Sequence, residues 1–260
     1  MRRLFQLPRP SLRFIQVWRR NLLVWRKLAV PSLLANLAEP SLYMLGLGYG
    51  LGGLIPPVDG RPYIGFLAAG TLCLSTMNSS TFESLYSAFS RMHVQKTWDA
   101  ILNAPLSLDD IVTAEWVWAA CKAMLSGLAI LLIVSLLSLA SFPSAWLAIP
   151  LIALIGLTFG AIGLVMTALA PNYDFFSYYF SLVITPMILI SGIFFPTAQL
   201  PAALQALSAM LPLSHAVALA RPILYGEFPA NAVMHVAVLL VYAVAGFYLA
   251  TVLIRRRLLP

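Results

Sequence analysis

Charged side chains are scarce in this sequence: Asp, Glu, Lys and Arg make up only 10% of its 260 residues. Hydrophobic residues make up 61%, and the mean hydropathy of +0.89 is too high for one water-soluble core. The composition is typical of an integral membrane protein. A bilayer core about 30 Å thick takes about 20 apolar residues per helix, so a chain of this length holds about six spans with short loops.

Motifs for catalytic or cofactor chemistry are absent from the sequence. The cysteines, Cys73 and Cys121, both fall in apolar segments, so neither a disulfide framework nor a zinc site is indicated. There is no GxxxxGK[ST] phosphate loop, no HExxH motif and no spacing that assembles a nucleophile with a base. We therefore predict no catalytic residue, no metal and no cofactor in this chain. The glycine-rich run 46–53 lies in an apolar segment and favours close helix packing, as do Gly156 and Gly160.

Hydropathy predicts six transmembrane helices joined mostly by short loops. They cover residues 30–55, 63–89, 111–139, 146–169, 176–195 and 231–253. No signal peptide is apparent, so we expect the N-terminus to stay in the cytoplasm. With that orientation, thirteen Lys and Arg lie on the cytoplasmic side and only Arg61 and Arg221 lie outside. This positive-inside bias predicts that both termini are cytoplasmic, in a bacterial inner membrane.

Residues 1–28 are predicted to form a cytoplasmic tail and an amphipathic helix lying in the membrane interface, ahead of a transmembrane domain at 29–260. On a helical wheel the large apolar residues of this segment share one side, namely Phe14, Ile15, Trp18, Leu22 and Trp25. The basic residues share the other side, namely Arg13, Arg19, Arg20, Arg26 and Lys27. A surface helix of a soluble domain is the alternative, but a membrane span follows at once.

The segment at about 196–230 is apolar enough for membrane depth, yet it is broken repeatedly by proline, at Pro196, Pro201, Pro212, Pro222 and Pro229. Each piece between prolines is too short to cross a bilayer. The pattern favours a pair of half-helices that re-enter the outer leaflet, where protein or water can satisfy the broken backbone. A helix lying flat in an extracellular loop is the alternative.

Polar side chains inside predicted spans are the most informative ones, because a carboxylate at mid-bilayer costs about 2.5–3.5 kcal/mol and tends to face protein or water. The candidates are Glu39, Thr71, Ser75, Asn78 and Glu83. They are predicted either to line a transport pathway or to form interhelical hydrogen bonds in a dimer or bundle core. The sequence does not decide between the two.

The stretch KTWDAILNAPLSLDD (96–110) faces the cytoplasm in this topology. Thr97 is predicted to cap a short helix that Pro105 ends, with an apolar face made of Trp98, Ile101 and Leu102. Such a face either rests on lipid headgroups or docks in a groove of a partner protein. The following helix starts with SLDD, where a serine and an aspartate three residues apart resemble a capping box.

The passages TWDAILNAPLSLDDIVTAEWVWAA and SGIFFP…LP…LPLSHAVALAR resemble the ABC-2 permeases, most closely the nodulation protein J subgroup linked to lipo-oligosaccharide export. The resemblance covers about residues 12–257. It implies an all-α membrane protein that forms a homodimer and pairs with two copies of a separate ATPase subunit, which binds ATP and Mg²⁺. It also implies that the interfacial helix contacts this ATPase, and that a carboxylate at Glu115 is common in the subgroup, where we interpret it as structural.

In such permeases the loop between spans two and three carries a coupling helix, at about 96–105 here. The residues implied in coupling to the ATPase are Lys96, Thr97, Trp98, Ile101, Leu102 and Pro105. We therefore expect an exporter permease for an amphiphilic, lipid-linked or saccharide-bearing substrate, with membrane lipids as neighbours and no nucleic acid as partner. A drug or polysaccharide exporter, a membrane-embedded lipid-modifying enzyme using Glu39, Glu83 or His215, and a non-catalytic scaffold or channel are the alternatives.

Overall fold

The computed structural model describes residues 5–58, 60–141 and 144–258, without the side chains of Asn36 and Glu39. All regular elements within these ranges are helical, which confirms the predicted all-α class. The α-helices are α1 (Phe14–Arg26), α2 (Ala29–Gly50), α3 (Tyr63–Phe82), α4 (Thr97–Leu102), α5 (Leu108–Leu136), α6 (Ala148–Leu169), α7 (Asp174–Tyr179), α8 (Thr185–Ile190), α9 (Ala202–Ser208), α10 (Pro212–Tyr225) and α11 (Ala232–Leu258). Short 3₁₀ turns precede α6 and α9, at Ser144–Leu147 and Thr197–Gln199.

Helix α3 is the centre of the bundle, because α2, α5, α6 and α10 pack around it. Its side chains from Tyr63 to Met77 are all buried apart from Ile64, which explains why its hydrophobicity has no preferred face. The helix continues past its last α-helical residue through two π-helical stretches, Glu83–Ser87 and Ser90–Val94. Such wider turns change the direction in which side chains project and are frequent at functional sites.

Small residues allow close packing at some of the predicted positions. A Cβ added at Gly156 would lie 2.8 Å from the Cβ of Ala123, and one at Gly160 would lie 3.0 Å from the Oγ of Ser80. These two glycines therefore confirm the packing prediction for α6. At Gly46 and Gly50 a Cβ would meet nothing within 4 Å, so the prediction is wrong within this chain for those two positions.

Three of the described helical segments are long and apolar enough to cross a membrane, namely Leu108–Leu136, Ser144–Leu169 and Ala232–Leu258. A fourth span results if α9 and α10, bent by 84°, are counted as one broken crossing. Helices also occupy the other predicted spans, but the run Asp174–Ile190 is shorter than a full crossing, and the six-span count remains a prediction. The chain is a multi-pass membrane protein.

The proline-rich segment folds as the predicted pair of short helices. Pro201 is the N-cap of α9 and Pro212 is the first residue of α10, positions where the missing N–H costs no hydrogen bond. Helix α10 ends at Gly226, whose φ of 82° is the left-handed conformation that favours glycine at a helix C-terminus. The sharp bend between the helices agrees with a re-entrant segment, while its depth in a bilayer remains a prediction.

A buried ion pair joins the start of α5 to the end of α11, and the N-terminal segment 5–12 is hydrogen-bonded to it. Arg255 binds both carboxylate oxygens of Asp109 at 2.8 and 2.6 Å, and the Arg9 backbone N–H donates to the same carboxylate at 2.9 Å. The Tyr248 hydroxyl donates to the Phe5 carbonyl at 2.9 Å. The chain ends are therefore fastened to each other on the side where the predicted topology places the cytoplasm.

We expect Asp109→Asn to lower the free energy of unfolding by about 2 kcal/mol, since hydrogen bonds to charged groups contribute about 1.5–3 kcal/mol each and the amide keeps part of the contacts. The N-terminal segment should also become more accessible to protease. Unfolding in mixed micelles and limited proteolysis measure the two effects. Asp99→Asn, at an exposed acidic residue, is the control, and equal behaviour of the two variants would contradict the fastening role.

Candidate functional site

Four charged side chains form a buried cluster between the end of α3 and helix α5. Arg91 donates to Glu83 at 2.8 Å. It also binds both carboxylate oxygens of Glu115, one through its Nε at 2.9 Å and the other through its Nη2. Lys122 donates to the second oxygen of Glu83 at 2.8 Å. Burial alone would lower the pKa of Arg91, but Glu115 and Glu83 beside it raise that pKa above its ordinary value. The two cations and two carboxylates are balanced, as burial requires.

Two tryptophans connect this charge cluster to its surroundings. The Trp98 indole N–H donates to Glu115 at 3.2 Å, and the Trp118 indole N–H donates to Glu83 at 2.9 Å. Trp98 belongs to α4, so this short helix is linked by a hydrogen bond to the charges between the longer helices. The Trp98 bond therefore joins α4 to the cluster that connects the end of α3 with α5.

Sequence reasoning finds only part of this cluster. It singles out Glu83 as an intramembrane carboxylate, and the structural interpretation of Glu115 agrees with its contacts. It misses the partners Arg91, Lys122 and Trp118, although a lysine inside an apolar span is a signal that a buried carboxylate lies nearby. The cluster needs contacts between positions up to 39 residues apart, which spacing along one helix does not reveal.

The predicted coupling helix is present as α4, but its apolar face points inward. Trp98 is 0% exposed, and Ile101 and Leu102 are partly buried against the hydrophobic core. The interpretation of this face as an anchor for a partner groove is therefore wrong, because the chain itself already covers it. The outward positions of the loop include Lys96 and Pro105, with Thr97 half-exposed.

The predicted cap at the start of α4 is wrong, whereas the predicted end of α4 and the capping box at the start of α5 are confirmed. Thr97 is not the cap: Lys96 occupies that position with a φ of 49°, and Thr97 is the first helical residue. The capping box at the start of α5 is confirmed, since Ser107 accepts from the Asp110 N–H at 3.1 Å and the Asp110 carboxylate accepts from the Ser107 N–H at 2.9 Å. Pro105 lies just beyond the last turn of α4, as predicted.

The amphipathic helix is present as α1, although its aromatic side is not free for lipid. Trp18 and Trp25 pack edge-on against Trp118 of α5, with ring centroids 6.4 and 5.8 Å apart. Phe14 is half-buried as well, and Arg19 is exposed as expected. Arg20 departs from the predicted basic side, because it is half-buried and turns towards the interior.

A cavity of about 600 Å³ lies between α1, the π-helical end of α3 and α5, directly beside the charge cluster. Its charged and amide lining includes Arg20 and Asn21 of α1 and the cluster residues Glu83, Arg91 and Lys122, and further polar side chains come from Ser32, Ser87, Ser90 and Gln95. Aromatic and apolar side chains complete the wall, namely Val24, Trp25, Leu28, Tyr86, Trp118 and Tyr173. A pocket of this size can hold a small polar ligand or the head group of an amphiphile.

The polar stripe of span two is used mainly inside the chain. Thr71, Ser75 and Glu83 are buried, and the Ser75 hydroxyl bonds to that of Ser126 on α5 at 2.8 Å. These contacts favour the interhelical interpretation over an exposed pathway. Asn78 is half-buried, and its carbonyl oxygen has no hydrogen-bond partner among the described residues. The side chain of Glu39 lies outside the described part of the structure, so its role remains a prediction.

Two of the scattered histidines meet in the fold. The Nδ1 atoms of His215 and His235 lie 2.7 Å apart, and the Nε2 of His215 is 3.0 Å from the Ala209 carbonyl oxygen. The pair joins α10 to α11 at the broken segment. Across the residues that the structure describes, no group of three or more His, Cys, Asp or Glu is placed to hold a metal ion.

Comparison with known proteins agrees with this helical architecture. The profile of the ABC-2 type transporter family matches residues 13–225. The chain is 49% identical over 253 residues to nodulation protein J of Bradyrhizobium diazoefficiens, with 97% of each chain covered, and 47% identical to nodulation protein J of Rhizobium leguminosarum bv. viciae, with 97% and 98% covered.

A more distant relative is the inner membrane transport permease YadH of Escherichia coli, 24% identical over 247 residues, with 92% of this chain and 93% of YadH covered. No solved structure matches the chain. Permeases of this family work with a partner ATPase subunit. The chain belongs to the ABC-2 type transporter family, as a permease.

Proposed function

We propose that the chain is the permease subunit of an ABC exporter that moves an amphiphilic, lipid-linked or saccharide-bearing substrate out across a bacterial inner membrane. Two copies of the permease form a homodimer with two ATPase subunits, which bind ATP and Mg²⁺. The observation that carries the proposal is the hydrogen bond from Trp98 of α4 to Glu115. It supports a route by which force on a cytoplasmic helix reaches the membrane-embedded helices.

The proposed cycle uses this route in one direction. Closure of the ATPase dimer around ATP displaces α4, and Trp98 transmits the displacement to the charge cluster, which joins α3 to α5. The change in the relative position of these helices opens the path for cargo towards the far side, past the bent pair α9 and α10. Such a cycle is alternating access, in which ligand binding shifts the balance between two conformations of the same protein.

The outward face of α4 supports a revised site for the ATPase contact. Asp99 and Ala100 are exposed at the start of the helix, and Asn103 is exposed at its end. Together with Lys96 and Pro105 they offer a small, mostly polar surface, while Trp98 and its neighbours attach that surface to the bundle. We therefore still propose that this loop couples to the ATPase, but we assign the ATPase contact to the exposed side of α4, opposite Trp98.

Replacing both Asp99 and Ala100 by Arg should reduce co-purification of the ABC ATPase that accompanies the wild-type chain in native membranes by about tenfold or more. Two long cations at the centre of a docking surface remove complementary contacts, and a loss of about 1.4 kcal/mol already weakens binding tenfold. The measurement is the amount of ATPase recovered per permease after affinity purification.

The matched control is Ala203→Arg on α9, an exposed alanine that the predicted topology places on the opposite side of the membrane. It should leave recovery of the ATPase unchanged. Full recovery with the double variant at 99 and 100 would contradict the assignment of this face. Because both positions are exposed, neither variant should disturb insertion, which the yield of folded permease checks.

A further inference from the structure

The cavity beside the charge cluster has a positive charge that the cluster does not neutralise. Arg91 and Lys122 are both paired with Glu83, and Arg91 also with Glu115, so these four charges balance. Arg20 lines the same cavity and makes no salt bridge with any described residue; its guanidinium donates to the Asn21 side chain at 3.0 Å. Partial burial and the neighbouring Arg91 lower the pKa of Arg20, and Glu115, which opposes this by raising that pKa, does not offset them.

A second observation in the cavity points to a missing acceptor. Asn21 is only 3% exposed and lines the cavity, yet its amide nitrogen has no hydrogen-bond partner among the described residues. A buried N–H₂ group without an acceptor costs about 1–3 kcal/mol, so such groups are normally satisfied. The Asn21 amide and the Arg20 guanidinium are adjacent donors, and one anionic oxygen group can accept from both.

The rim of the cavity distinguishes an amphiphile from a small soluble anion. Val24 and Leu28 line the cavity and are also 54% and 64% exposed, and Leu23 beside them is 49% exposed. A polar interior with an apolar rim suits a molecule whose head group enters while its hydrocarbon chain stays outside. Inside, Trp25 and the 39% exposed Tyr173 line the cavity with aromatic rings against which a sugar ring can pack, whereas the Tyr86 ring is already stacked by Phe82 and Tyr173.

Resting on the proposed function, we infer that this cavity receives the polar head group of the cargo, and that this head group is an anionic saccharide on a hydrocarbon chain. Arg20 and Asn21 hold the anionic group, and the aromatic wall holds the sugar. The floor of the cavity is the charge cluster to which Trp98 is bonded, so an occupied cavity lies in direct contact with the route from α4.

Binding of three probes to the purified full-length permease in phosphatidylcholine nanodiscs tests this inference. The probes are dodecyl glucoside 6-phosphate, dodecyl glucoside without the phosphate, and phosphatidylglycerol. Wild-type protein should bind the phosphorylated glucoside at least tenfold more tightly than either of the others. Equal affinity for the neutral glucoside would overturn the anionic head group, and equal affinity for phosphatidylglycerol would assign the cavity to membrane lipid and overturn the cargo site.

Variants of the two donors locate the binding. Arg20→Gln should remove the preference for the phosphorylated glucoside, while Arg19→Gln, at the exposed neighbouring arginine, should keep it. Equal loss in the two variants would show attraction by surface charge alone and would overturn the site. Asn21→Leu removes the amide while keeping every charge and should weaken binding about fivefold; unchanged binding would overturn its part, and a melting curve for each variant verifies folding.

The binding assay needs neither ATP nor the ATPase. A negative result would therefore reject the cargo site and leave the exporter proposal to the co-purification experiment. If no ABC ATPase co-purifies with the wild-type chain, the exporter proposal is rejected, whichever probes the permease binds. The two failures are distinguishable.

Discussion

Arg91→Met should lower the free energy of unfolding by about 3–5 kcal/mol. The variant removes the cation that binds Glu83 and Glu115 together, and their side chains are only 4% and 1% exposed. Breaking a buried pair from one side leaves an uncompensated charge, whose burial costs about that much. Equilibrium unfolding in mixed micelles measures the change.

A second substitution can show that charge rather than shape causes this loss. Arg91→Met combined with Glu115→Gln restores neutrality, because Lys122 still balances Glu83, and the glutamine introduced at position 115 still offers an oxygen to the Trp98 indole. The double variant should recover a substantial part of the lost stability. A double variant no more stable than the single one would contradict the electrostatic explanation. Arg256→Met, at an exposed arginine, should change stability little.

Trp98→Ala should cost about 3–5 kcal/mol, since deletion of a fully buried aromatic side chain loses its transfer energy and leaves a void. Trp98→Phe is the more informative variant because it keeps an aromatic ring in the buried site while it removes the indole N–H that reaches Glu115. We expect this variant to bind its ATPase normally, yet to export cargo several-fold more slowly. ATPase recovery and transport into inverted vesicles are measured on the same preparation.

The control for Trp98→Phe is Trp146→Phe, at a tryptophan that is 65% exposed. That substitution should leave stability, ATPase recovery and transport unchanged. Wild-type transport by Trp98→Phe would show that the hydrogen bond to Glu115 does not carry the coupling. A loss of both transport and ATPase recovery would instead indicate that Trp98 shapes the docking surface.

Most features that depend on neighbouring residues in the chain were predicted well, although Lys96 and not Thr97 occupies the cap position of α4. The apolar composition sets the membrane class, and the 3.6-residue periodicity of residues 14–26 predicts helix α1. The capping box of Ser107 and Asp110 and the proline starts of α9 and α10 are also local, because each depends on hydrogen bonds or backbone angles within a few residues, whereas the predicted break at Pro222 is wrong, since α10 continues through it. Local rules of this kind need no knowledge of the rest of the fold.

Features that depend on distant residues were decided only by the tertiary structure. Periodicity shows that Trp98, Ile101 and Leu102 share a face, but not whether that face meets a partner or the chain itself. The answer depends on Glu115 and the core beneath α4, whose positions follow from the packing of α3 against α5.

The cavity and the charge cluster also depend on residues that are distant in the chain, so the sequence did not predict them as units. Arg20 lies with other basic residues on a helical wheel, and only the placement of α1 against α5 turns it towards Arg91 instead of the membrane surface. A carboxylate in an apolar segment tends to face protein or water, so the sequence alone determined that Glu83 turns away from lipid. The folded structure decided that its partners are Arg91 and Lys122, because only packing brings side chains from separate helices within hydrogen-bond distance.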